Sequence, residues 1–216
     1  MSGYIVMQND KNLLKLLSFV HCQSKKDALR HASCVARELI LNWKIITPTG
    51  ERRILGLEFY LNIPGIFTDS STHMRDEQLN HGTFYFHTKS KNPNWTPPIF
   101  NRHGVDITCG DKEYGIHGGI LLRHLGGIGH RDGSGLALRC LVRGDKGFLP
   151  IKRGFPNQWS ENEIAFFKKM NAVSVFGHEM YLAYAPLTEK VKITKKPRIG
   201  IEGSNHAQEH LGFCVA

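Results

Sequence analysis

Ile54-Leu55-Gly56-Leu57-Glu58-Phe59-Tyr60-Leu61, residues 54–61, is the stretch on which the fold turns. Strand side chains alternate faces, so Leu55, Leu57, Phe59 and Leu61 are expected in one apolar layer, with Ile54, Gly56, Glu58 and Tyr60 opposite. A carboxylate in the middle of such a strand is costly unless it is solvated or hydrogen-bonded. Glu58 is therefore either an exposed acid on a wet sheet face or a functional carboxylate in a cleft. Gly56 leaves room for that cleft and Tyr60 walls it, and the functional reading makes Glu58 a general base that holds a water.

Upstream, Lys44 to Thr47 reads as a partner strand that returns through a Pro48-Thr49-Gly50 turn. Before it, Ala28/Leu29, Ala32, Val35/Ala36 and Leu39/Ile40 recur at helical spacing and predict a helix over 25–42, N-capped by Ser24. Residues 11–20 also look helical, within an N-terminal extension covering 1–24. Downstream, strands are expected at 83–87, 105–109, 119–125, 136–143, 180–184, 190–194, 198–202 and 211–215. A further helix is expected over 161–171, where Ser160 and Glu163 stand at capping-box spacing. Residues 92–98 and 126–135 carry the Pro, Asn and Gly of loops. Many short strands with few helices between them predict one α+β domain over 1–216, a largely antiparallel, curved sheet flanked by a few helices.

The chain has 216 residues, 28 Lys+Arg against 19 Asp+Glu, and a net charge of +9. Its 41% hydrophobic and 22% charged residues exclude a disordered composition. No stretch approaches the roughly 20 apolar residues of a spanning helix, and residues 1–10 lack the pattern of a secretory signal. Cys22, Cys34, Cys109, Cys140 and Cys214 show no zinc-site spacing and read as free thiols in a reducing cytosol. The basic excess lies in two flanks, the heavier being 143–198 with eleven basic against five acidic side chains. Such a surface attracts polyanions.

Other residues carry chemistry by their placement. Thr83, Tyr85 and His87 share one strand face, Phe84 and Phe86 the other, and an aromatic beside a His suits stacking on a flat ligand. Asp106 and Thr108 alternate with Val105, Ile107 and Cys109. Arg123 interrupts an apolar strand, so its guanidinium requires a buried carboxylate or a phosphate. His117, His124 and His130 fit no metal-ligand spacing, so neither metal nor cofactor is expected.

In order along the chain, these segments resemble the alkyladenine (3-methyladenine) DNA glycosylase family. Val35-Ala36-Arg37-Glu38-Leu39 is similar to its Ala-Arg-x-Leu-Leu-Gly helix end, and residues 53–60 to its Glu-x-Glu-Ala-Tyr strand. Residues 82–87 resemble its Pro-Gly-x-x-Tyr-Val-Tyr segment. Val105-Asp106-Ile107 falls at its Cys-x-Asn-Val strand, residues 119–125 at its Ala-Val-Leu-Leu-Arg-Ala strand, and residues 196–201 at its C-terminal Pro-Arg-Ile-Gly-Ile. The chain departs from the pattern in His87 for the second stacking aromatic, Asp106 for the pocket Asn, and Ser90 roughly where the family has a minor-groove Tyr.

The resemblance implies cofactor-free hydrolysis of the N-glycosidic bond of an alkylated or deaminated purine flipped out of duplex DNA. It implies Glu58 and Arg123 as catalytic residues and Tyr60, His73, Tyr85, His87 and Asp106 as the base pocket. Lys152, Arg153, Lys168, Lys169, Lys195 and Lys196 are expected on the DNA backbone of a cytoplasmic monomer. The competing expectation is a non-catalytic nucleic-acid-binding protein on the same scaffold.

Overall fold

Helix α2, Lys25–Asn42, forms where the apolar spacing requires it and buries Ala28, Ala32, Val35, Ala36, Leu39 and Ile40. The Ser24 hydroxyl accepts the Asp27 N–H at 3.1 Å and caps its start. A computed structural model describes residues 2–87, 104–126, 133–144, 159–199, 201 and 203–216. The expected loop at 92–98, together with Ser90, His130, Lys152 and Arg153, lies outside them.

Helix α1, Ser2–Leu17, precedes α2, and β1, Trp43–Thr47, follows it. β1 turns back into β2, Gly50–Ile63, the long strand about which the sheet is organised. The first residues of β2 pair with β1. From Ile54 to Asn62 it pairs with β6, His117–Leu125. Its other edge receives β3, Phe67–Thr68, and β9, Gly212–Val215. Beyond β6 come β5, Val105–Cys109, and β4, His81–Phe86. β7, Tyr181–Tyr184, extends β1, and β8, Ile193–Lys196, extends β9. Every one of these pairings is antiparallel, so the protein is an α+β domain with a curled antiparallel sheet.

Leu57, Phe59 and Leu61 face α2 in the core, where the rings of Phe59 and Phe213 lie 5.6 Å apart. The opposite face of β2 carries Glu58 and Tyr60. Contrary to the simple alternation, Ile54 is in the core and Leu55 is only half-buried. Register shifts around Gly56 mark a bulge, which resets the alternation between these two residues.

Three expectations are corrected. Residues 136–143 form a helix, α3, Ser134–Arg143, not a strand. Ala137, Leu138, Cys140 and Leu141 are its buried face, and three- and four-residue steps outweigh the short apolar run that suggested a strand. Residues 198–199 are not in a strand. Pro197 offers no N–H to a ladder, and the Ile199 N–H goes instead to the Glu58 side chain at 3.1 Å. The expected strand at 190–194 slides to Ile193–Lys196, where it pairs with β9 from Val215 to Gly212. Helix α4, Glu161–Met170, forms behind the expected Ser160–Glu163 capping box.

Candidate active site

Glu58 is fully buried, and its bonds explain how a carboxylate is held there. Oε2 accepts the Tyr60 hydroxyl at 2.9 Å and Oε1 accepts the Ile199 N–H at 3.1 Å. Arg123 on β6 brings Nε to 3.6 Å from Oε1. A carboxylate accepts about four hydrogen bonds, so these two leave capacity for a water. Burial, then the charge and hydrogen bond of Glu58, pushes the Tyr60 phenol well above its ordinary value, so it remains a donor.

Tyr60 is itself fixed from the other side. The Arg198 guanidinium lies 4.8 Å over its ring. Arg198 donates Nη1 to the Phe59 carbonyl at 3.0 Å and to Asp69 Oδ2, and Nη2 to the His206 carbonyl at 3.2 Å. Arg198 and Asp69 are both buried, so the pair is a desolvated anchor beneath the Tyr60–Glu58 hydrogen bond.

Across the sheet, strand register carries this face to the remaining residues. Glu58 pairs with Leu121, Leu121 with Asp106, and Asp106 with Tyr85. With strands about 4.8 Å apart, Glu58 and Asp106 stand roughly 10 Å from each other on either side of Leu121. Asp106 accepts His87 Nε2 at 2.8 Å and Gln78 Nε2 at 3.4 Å. It fits because position 119 is glycine: a Cβ there would fall 2.3 Å from Asp106 Oδ2.

His73, in the segment after β3, shares a hydrogen bond of 3.2 Å through Nδ1 with the Tyr85 hydroxyl. Its ring packs 4.5 Å from that of His87 at a steep angle, and His87 lies 5.2 Å from the Tyr85 ring. The expected pocket residues are therefore brought onto one face, with a difference of arrangement. His73 and His87 touch each other and form a single wall, leaving no slot between them for a planar base.

Of the expected backbone contacts, Lys169 is paired with Glu179 at 2.5 Å and Lys195 places its ammonium 6.0 Å from the Phe213 ring. Lys168 is exposed on the last turn of α4, and Lys196 ends β8 beside Pro197. Gly212 pairs with both Glu58 and Lys196, so β9 sets Lys196 two strands from Glu58, whereas α4 carries Lys168 and Lys169 outside the Glu58 cluster. Among the described residues no group of three or more His, Cys, Asp or Glu could hold a metal ion. No described helix is long and apolar enough to cross a membrane.

The residues that sequence reasoning missed are Gln78, Leu121, Gly119, Asp69 and the inward role of Arg198. Only Arg198 carried a signal, since an arginine after Pro197 in an apolar context requires a partner. Compared with known proteins, the chain matches no family model and no curated protein.

Proposed function

We propose that the protein is a DNA glycosylase that hydrolyses the N-glycosidic bond of an alkylated or deaminated purine extruded from duplex DNA. The observation that carries this reading is the buried Glu58, oriented by Tyr60 and Ile199 on the same sheet face as the His73–Tyr85–His87 wall. Between them on this face stands the apolar side chain of Leu121, 5% exposed.

A base inside the stack is unreachable, so the nucleotide swings out at a cost of a few kcal/mol. The sugar carbon that bears the base gains positive charge as its bond to nitrogen breaks, and the bonding electron pair leaves with the base. Glu58 takes a proton from a water as the water oxygen bonds to that carbon. A positioned base contributes about 10²–10⁴-fold, and the negative charge of Glu58 beside the developing cation adds electrostatic stabilisation. The duplex is held through its phosphates by the basic flanks of a cytoplasmic monomer, without sequence preference.

One observation favours a second reading, nucleic-acid binding without catalysis: both oxygens of Glu58 are already engaged and the group is fully buried. A panel of duplexes carrying hypoxanthine, etheno-adenine or a methylated purine separates the two. The glycosylase leaves alkali-labile abasic sites on at least one lesion, with or without EDTA. Salt-sensitive binding with no abasic product on any lesion establishes the second reading and overturns the first.

A further inference from the structure

Thr72 departs from the general pattern in which buried polar groups find partners. It is 1% exposed, and its hydroxyl bonds to nothing among the described residues. The backbone holds it there, since the Thr72 N–H donates to the Asp69 carbonyl at 3.1 Å. A buried hydroxyl left unpaired works against the fold, so a side chain kept in this state points to a partner from outside the chain.

Thr72 lines an open groove of about 470 Å³, within the size range of small-molecule sites. Asn62 lines it from β2, two residues beyond Tyr60, with an amide that both donates and accepts. The rim is fixed: Asn205 accepts the Ser70 N–H and hydroxyl, each at 3.1 Å, and donates to the Thr68 carbonyl. His73 and the half-exposed Met74 add apolar surface. The lining carries both signs of charge. Arg75 brings a guanidinium and Asp69 a carboxylate, the latter bonded to Arg198 and, through Oδ1, to the Ser71 N–H at 2.9 Å. A phosphate would meet the acid and a cation the guanidinium, so a neutral ligand fits best.

We propose that this groove binds a neutral sugar ring with adjacent free hydroxyls, of the kind ribose carries. A hydroxyl donates and accepts at once, as do the Thr72 hydroxyl and the Asn62 amide, so two neighbouring hydroxyls can satisfy both side chains. The carbon–hydrogen face of such a ring is apolar and suits the His73 and Met74 side of the groove. The deoxyribose of duplex DNA offers no such pair of hydroxyls. The groove is therefore a small-molecule site, and it stands apart from the base-release reading above.

The test titrates the full chain with methyl β-D-ribofuranoside and follows the backbone amide signals of residues 68–75 by NMR. Saturable shifts are expected there, with a dissociation constant in the millimolar range, as for a small ligand held by a few hydrogen bonds. The 2-deoxy analogue, which lacks one of the two hydroxyls, should bind roughly tenfold more weakly, and inorganic phosphate should not compete. Thr72→Val should also weaken the ribofuranoside roughly tenfold. Its urea unfolding midpoint should stay at or above that of wild type, because the lost hydroxyl has no partner among the described residues. The assignment is overturned by the absence of saturable shifts, by equal binding of the deoxy analogue or by competition from phosphate. Wild-type affinity or a lower unfolding midpoint in Thr72→Val overturns it as well.

Discussion

Tyr60 and Glu58, two residues apart on one face of β2, are joined by a 2.9 Å hydrogen bond in which the phenol donates to Oε2. The pairing follows from the strand period, which returns every second side chain to the same face. It converts a buried acid from a liability into an oriented acceptor. Tyr60→Phe keeps the ring under Arg198 and removes only this donor. Loss of about 1–2 kcal/mol is expected in urea unfolding at neutral pH, the cost of a buried acceptor left short of a partner. Base release slows as well, and an unchanged rate would show that Tyr60 does not orient Glu58.

The same phenol sets a limit at alkaline pH. Burial and the neighbouring Glu58 raise its titration above the ordinary tyrosine value of 10. Between that value and the raised one, the unfolded chain binds fewer protons than the folded chain. The stability Tyr60 contributes is thus complete below pH 10 and is lost as pH rises above it, by at most about 1.4 kcal/mol per pH unit. Denaturant melts from pH 9 to 11 should fall more steeply for wild type than for Tyr60→Phe. Parallel curves would contradict this.

Gly119→Ala tests the floor of the site. The added methyl would meet Asp106 Oδ2 at 2.3 Å and Gln78 Nε2 at 2.8 Å, so the Asp106–His87 pair must shift. The chain is expected to fold with a loss of about 1–3 kcal/mol, as overpacked cores do. Release of damaged bases should fall by more than the unfolded fraction accounts for. Full activity in a folded variant would place Asp106 outside the site.

Arg198 and Asp69 should behave as one unit. Removing either partner strands the other in the interior, and Arg198→Ala or Asp69→Ala is expected to cost about 3–5 kcal/mol in thermal or urea unfolding. The double variant should cost distinctly less than the two single losses added together. Strict additivity would mean that the two charges are not coupled.

How much of this was legible in the sequence depends on whether a local rule governed it. α2 and its Ser24 cap, the Ser160–Glu163 box of α4, and the alternation of Tyr85 and His87 against Phe84 and Phe86 follow from period and capping alone. The face of Ile54 did not, because the bulge at Gly56 is set by pairing with β6 and β9. Nor did α3, whose Leu136-Ala137-Leu138 start suits either period. In the site, the adjacency of Glu58 and Tyr60 could be read from spacing. The Arg198–Asp69 anchor spans 129 residues, and no spacing rule reaches it. The contact of His73 with His87 likewise depends on how the segment after β3 folds back over β4.

The most direct measurement is single-turnover release of free base, followed by mass spectrometry, from the best-cleaved lesion duplex with wild type and Glu58→Gln. The amide variant is expected to bind the duplex with nearly unchanged affinity by gel shift and to release base about 10²–10⁴-fold more slowly. Release by Glu58→Gln at the wild-type rate would contradict this.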